Sequence, residues 1–382
     1  MPMNSFQPHG SSQAEFRPQR SVEKNSLTRA DLDTIPRYVA GKNPSDVARE
    51  SGVPQAVKLA SNEVPFGPLP GVVEAVAEAV AQTHRYPDPG VVALRGRLGE
   101  RYGVAPDRLV SGCGSVALAE HIVRAAVLPG DEVLYSWRSF EAYPIITTSC
   151  GGTSVRVANT DDHAHDLDAM AAAVTDRTRV AIVCTPNNPT GPAVPREDLE
   201  RFLDRVGPDV LVVIDEAYRE FVRDPAVPDG LDVARNRPNV VVLRTMSKAW
   251  GLAGIRVGWM AADPQVAEAV RKVVTPFSVN HVAQAAALAA LDAEDEMKRR
   301  VDIVVAERSR VHAAVRALRS DVPDTQANFV WLPLGDDALD FAAGCEKRGV
   351  IVRPFAGDGV RVTIGTPAEN DMFLSAASEL LA

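Results

Sequence analysis

RVAIVCTPNNPTGPAVPREDLERFLDRVGPDVLVVIDEAY, residues 179–218, holds two apolar runs separated by a charged stretch of helical character. Neither RVAIVC nor VLVVIDEA alternates apolar with polar residues, as a strand with one wet face would. Strands that are apolar throughout are buried on both faces, and helices between them supply the crossovers of a parallel sheet. The same pattern continues outward, with RLVSGC and DEVLYS on the N-terminal side and VVVLRT on the other, each separated by helical stretches. The fold class this predicts is α/β. Beyond Pro276 the character changes to long helical stretches over about 280–318, then NFVWLPL, a helix, VIVRPF, GVRVTIG and a final helix. That is a smaller α+β lobe appended to the α/β core.

On the N-terminal side, PGVVEAVAEAVAQ and VVALRGRLGERYG have the apolar spacing of amphipathic helices, the second closed by Gly103. Residues 1–26 mix Gln, Ser, Pro, His, Gly and Arg with few apolar side chains, and they predict a flexible tail. The expected organisation is a tail over 1–26, an arm and part of the small domain over 27–66, a large domain over 67–280 and a small C-terminal domain over 281–382. There is no internal repeat.

The 382 residues are 46% hydrophobic and 24% charged with a net charge of −9, an ordinary globular composition without the concentrated basic surface that nucleic acid requires. No apolar run approaches the roughly 20 residues that span a bilayer, and the N-terminus lacks an apolar signal region, which places the chain in the cytoplasm with no membrane partner. Cys113, Cys150, Cys184 and Cys345 form no CxxC pair, and His84, His121, His163, His165 and His281 show no metal-ligand spacing, the HAH of 163–165 falling in a polar, loop-like stretch. No metal is expected.

Three elements follow buried strands directly, where open parallel sheets carry their ligand sites. They are CTPNNPTG at 184–191, the Asp215 and Tyr218 of VIDEAYREF, and LRTMSKAWGLAGIRVGW, which sets Lys248 just past a strand and Arg256 after a Gly-rich segment. Each alone has an ordinary reading as a turn, a helix cap or a surface charge. In this order and spacing they resemble the class I/II, fold-type I pyridoxal-phosphate (PLP) aminotransferases from about residue 30 to the end, with SNEVPFGP, RYPD, PNNPTG, DEAY and SKAWGLAGIRVG all in sequence order. Within that superfamily the chain is similar to the histidinol-phosphate aminotransferase branch, and there to the aromatic amino-acid (phenylalanine) enzymes, on GCGS, WRSFEAYP and TMSKAWGLAG.

The resemblance implies a mixed, mainly parallel sheet covered by helices and a homodimer with shared active sites. It implies that Lys248 bonds covalently to the cofactor and later moves the substrate proton, and that Asp215 keeps the pyridine nitrogen protonated. Tyr218 and Asn188 would donate to the ring oxygen, and Phe140 would stack on the ring. Gly114 and Ser115 at a helix N-terminus, with Ser247 and Arg256, would cradle the phosphate, Thr245 adding a further cofactor contact. Tyr86 of RYPD would reach the neighbouring subunit's phosphate. For the substrate it implies Arg361 with Asn188 on the carboxylate, Asn62 close by, Arg353 where the histidinol-phosphate enzymes bind a phosphate, and Tyr38 of the arm closing the side-chain pocket. The implied reaction is ping-pong transfer from an aromatic L-amino acid to 2-oxoglutarate, with histidinol phosphate as the rival donor. Decarboxylation of an amino-acid phosphate and a non-enzymatic sensor are further alternatives; Lys248 is present, and the first 30 residues are too short for a DNA-binding module. Two departures stand out: Val64 where the family has a second Asn, and Trp137–Arg138 before Phe140.

Overall fold

A computed structural model describes residues 27–35, 43–52 and 56–381. Tyr38 and the tail lie outside the described residues. The stretch 27–35 belongs to a separate compact unit, with a short 3-10 turn at Ala30–Thr34 beside an Arg29–Asp31 ion pair.

In the main unit, β1 (Val57–Lys58) precedes β2 (Leu109–Gly112), β3 (Glu132–Trp137), β4 (Thr153–Ala158), β5 (Thr178–Cys184), β6 (Leu211–Asp215), β7 (Val240–Thr245) and β8 (Gly258–Ala261). Strands β2 to β8 form one seven-stranded sheet in the order β2-β8-β7-β6-β5-β3-β4. All neighbours pair parallel except β8, which runs antiparallel to β2 and β7. The sheet is therefore mixed and mainly parallel. Successive residues of the central strands feed two different cores, as the period of two demands. Ile182, Val213 and Val241 pack with the helices Gly114–Ala126 and Pro264–Val273 on one face. Val183, Val212, Ile214 and Val242 pack with Arg196–Val206 and Gly230–Ala234 on the other. That two-sided burial is why these runs are apolar throughout.

A second layer follows, with β9 (Phe329–Leu332), β10 (Val350–Ile351), β11 (Arg353–Phe355) and β12 (Gly359–Thr363). β11, β12 and β9 make an antiparallel sheet in that order, and β10 pairs parallel with β1. The sheet packs on the long helix Glu294–Leu318 and on Pro367–Leu380, whose start is fixed by a capping box between Thr366 and Glu369. Register decides what this sheet offers to a site. Arg353 lies opposite Arg361, and Arg361 opposite Trp331, so the three occupy one row across the sheet on the same face.

Candidate active site

The parallel strands stop level with one another. Cys184 of β5 is in register with Asp215 of β6, and Asp215 with Leu243 of β7, two residues before Thr245. These ends floor a cavity of about 540 Å³, within the range of small-molecule sites. Asp215 is 5% exposed; its Oδ2 accepts a hydrogen bond from the Tyr143 hydroxyl at 2.8 Å, while Oδ1 is buried without a partner. Burial raises its carboxyl to about 6, against the pull of the Tyr143 hydrogen bond. Lys248 faces it across the cavity, its Nζ donating to the Ser61 carbonyl at 3.2 Å. Burial, helped by the Arg361 guanidinium, lowers this amine to about 7, so a large fraction is neutral and nucleophilic near physiological pH.

At one end the cavity offers an anion site. The helix Gly114–Ala126 points its N-terminus there, and Ser115, Thr245, Ser247 and Arg256 line the wall, with Arg256 Nη1 on Ser247 Oγ at 3.2 Å. Gly114 has φ +79°, and a Cβ on it would collide with the Arg256 guanidinium. Gly258 on β8 is required by closeness alone: a Cβ would stand 2.6 Å from the Ser115 backbone nitrogen.

At the other end lies a second cation. Arg361, 8% exposed, donates from Nη1 to Asn188 Oδ1 and from Nη2 to the Ala60 carbonyl, both at 2.6 Å. Asn62 holds a left-handed conformation at φ 53°, bonded through its backbone N–H to Thr363 Oγ1, and its Nδ2 donates to the Tyr218 hydroxyl at 2.9 Å. Burial raises the Tyr218 phenol above its ordinary value and keeps it protonated. Beside Arg361 a narrow recess runs between Phe140 and Phe355 and includes Glu141 and Arg353, which pair at 2.8 Å.

The structure thus brings together Lys248, Asp215, Tyr218, Asn188, Asn62, Phe140, Ser115, Thr245, Ser247, Arg256 and Arg361 around one cavity, with Gly114 against Arg256 and Arg353 in the adjoining recess. Tyr86 is not among them. It is 79% exposed and stacks on Phe277 with ring centroids 4.4 Å apart. Among the described residues no cluster of three or more His, Cys, Asp or Glu side chains could hold a metal, and no helix is long and apolar enough to cross a membrane.

Residues 54–376 match the family of class I and II aminotransferases. An aromatic amino acid aminotransferase of Streptomyces avermitilis is 57% identical over 92% of this chain and 97% of its own length. This chain belongs to the class I and II aminotransferases. A relative of the same description from Rhodococcus jostii is 56% identical over 92% of this aminotransferase and 95% of its own length. Among solved structures, a histidinol-phosphate aminotransferase of Sinorhizobium meliloti in complex with PLP superposes with a TM-score of 0.82 at 28% identity, covering 95% of this chain and 99% of that one.

The cofactor of the aminotransferase is pyridoxal 5′-phosphate, and the residues present fit it. The orphaned Oδ1 of Asp215 suits a protonated ring nitrogen. The wall where the helix N-terminus at Ser115 meets Ser247 and Arg256, whose guanidinium the bare Gly114 lets pack close, suits a phosphate. Sequence reasoning missed the residues that support these contacts. Tyr143, 1% exposed, orients Asp215; Ala217 lines the cavity wall beside Tyr218; and a buried pair of Arg244 with Glu216, at 2.7 Å, ties the ends of β6 and β7 together next to Asp215 and Thr245. The Tyr three residues past Phe140 and the Glu beside Asp215 carried no signal that separates them from core and cap residues. The HAH of 163–165 does lie in a loop, with His165 more enclosed than a polar stretch suggests. His165 is drawn inward, with Nε2 2.7 Å from the Cys184 carbonyl, and burial lowers its imidazole to about 4.

Proposed function

We propose that this aminotransferase transfers the amino group of an aromatic L-amino acid (phenylalanine, tyrosine or tryptophan) to 2-oxoglutarate in a ping-pong cycle, as a cytoplasmic homodimer with shared active sites. The observation that carries the substrate class is the state of Arg353, the distal cation beside Arg361, which is paired with Glu141 at 2.8 Å and so offers no free charge to a substrate side chain. The identity of 51–57% to relatives described as aromatic amino acid aminotransferases supports the same reading. A phosphate-bearing donor such as histidinol phosphate would have to displace Glu141 from Arg353.

Bound PLP supplies an electron sink for the charge left on the substrate when its Cα proton departs. The chain's own groups do the rest. Arg361 takes the substrate carboxylate in a two-pronged pair and sets the Cα bond to be broken, while Asn188, whose Oδ1 braces Arg361, has Nδ2 left to donate. Lys248 Nζ, poised near neutrality, accepts the Cα proton and returns it on the far side of the reaction. Asp215 holds the ring nitrogen protonated, and Tyr218, kept neutral by burial and oriented by Asn62, donates from its hydroxyl. In the same reading 67–280 is the large domain, 27–66 with 281–382 make the small one, and Tyr86 serves the partner's site.

The test is a pair of assays on the PLP-loaded protein with 2-oxoglutarate. The expected kcat/KM for L-phenylalanine exceeds that for L-histidinol phosphate by about tenfold or more. The opposite order would overturn the aromatic assignment and make Arg353 a phosphate anchor.

A further inference from the structure

The recess beside Arg361 is closed by charges that cancel. Arg353 Nη2 meets Glu141 Oε2 at 2.8 Å, and their side chains are only 14% and 32% exposed. The pair joins β11 to the segment after β3. Next to it Arg138 donates from Nε and Nη2 to Asp358 Oδ2 at 2.8 and 2.5 Å, so the neighbouring cation at the rim is neutralised too. Arg361, the remaining cation of the recess, is turned toward Asn188 and Ala60. A substrate held by its carboxylate on Arg361 therefore directs its side chain at Phe355, Phe140 and a closed ion pair.

We infer that Glu141 is a specificity-determining residue: by holding Arg353 it reserves the recess for uncharged side chains, and admits a distal carboxylate only when that carboxylate replaces Glu141 on Arg353. The inference rests on the reading of Arg361 as the substrate-carboxylate anchor. Register makes the exchange geometrically direct, because Arg353 and Arg361 are opposite partners on β11 and β12 and face the same side. A five-carbon dicarboxylate would then bridge two guanidiniums. An aromatic ring leaves the pair shut and lies against it, with the Arg353 guanidinium already 5.6 Å from the Phe355 ring centroid. Glu141 opposes the anion twice, by like charge and by competing for its partner. Its partial exposure lets it swing out to water once displaced, so donor and acceptor share one recess at different occupancies of Arg353.

The test uses the PLP-loaded enzyme and two unreactive acids, glutarate and 3-phenylpropionate, titrated calorimetrically. In Glu141→Gln the binding of glutarate tightens about tenfold, while that of 3-phenylpropionate changes less than about twofold. Turnover shows the same split: the ratio of KM for L-glutamate to KM for L-phenylalanine falls about tenfold. Glu141→Asp, which keeps the charge, retains the wild-type ratio. Adding Arg353→Gln to Glu141→Gln erases the gain. An unchanged ratio in Glu141→Gln, or a gain that survives the double substitution, overturns the inference. Failure of the aromatic reading is a separate result, visible as absent turnover of L-phenylalanine by the wild type, and it leaves the glutarate titration to judge Glu141.

Discussion

Asp215 is built to be unhappy until something binds it. Its Oδ1 is buried without a partner and its carboxyl sits at about 6, above the ordinary 3.8. Between those two values the folded chain keeps a proton that the unfolded chain has released. The stability this group gives is thus complete below about pH 4 and gone above about pH 6. At pH 7 the cofactor-free protein carries a desolvated carboxylate at a cost of about 3 kcal/mol. Asp215→Asn removes that charge and still accepts from Tyr143. We expect the cofactor-free variant to melt a few degrees above the cofactor-free wild type at pH 7, with the gap closing toward pH 4, and to lose PLP on dialysis about tenfold faster or more. A lower melting temperature at pH 7 would mean that the carboxylate is already satisfied in the empty site.

At the scale of elements, what was legible followed two-sided burial. β5, β6 and β7 are continuous apolar runs because both faces are covered, and the residues at their ends inherit a fixed position from the sheet. β8 was not legible. Its four residues, GWMA, begin with a glycine and run against their neighbours, and nothing local distinguishes them from the loop before them. β4 is an edge strand with no fully buried residue, so TSVRVA lacks the apolar signature. Gly258 shows what that missed strand does. It stands where β8 passes under the N-terminus of the helix Gly114–Ala126, and a Cβ would come within 2.8 Å of the Gly114 carbonyl carbon and 3.0 Å of the Arg244 carbonyl oxygen. All three neighbours are backbone, so Gly258→Ala must lift the helix end from the sheet. The expected result is a folded protein whose circular dichroism is close to wild type but whose PLP dissociation constant rises about tenfold or more, because the helix N–H groups no longer converge on the phosphate. Wild-type affinity in this variant would show that the phosphate is held by Arg256 and Ser247 without the helix.

For the whole molecule, the open question lies on the surface. Tyr86 and Phe277 stack in the open, at 79% and 38% exposure, on a chain that also exposes Val73 at 58%, Val80 at 53% and Val92 at 64%. Scattered apolar side chains are ordinary, but a stacked aromatic pair held in water is a contact waiting for a partner. The proposed dimer with shared sites gives Tyr86 a role that its own chain's cavity does not. Sedimentation of the PLP-loaded protein should then give twice the chain mass. Complementation tests the sharing itself. Lys248→Ala should be inactive with its fold intact, and Tyr86→Ala impaired in holding PLP. In a hybrid dimer one site combines both lesions, whereas the other takes Lys248 from one subunit and Tyr86 from the other and is whole. Equal amounts of the two variants, unfolded and refolded together, should therefore recover about a quarter of wild-type specific activity, since half the dimers are hybrids and each holds one intact site. Activity no higher than the sum of the separate variants would mean that each chain completes its own site, and that the exposed stack serves another contact.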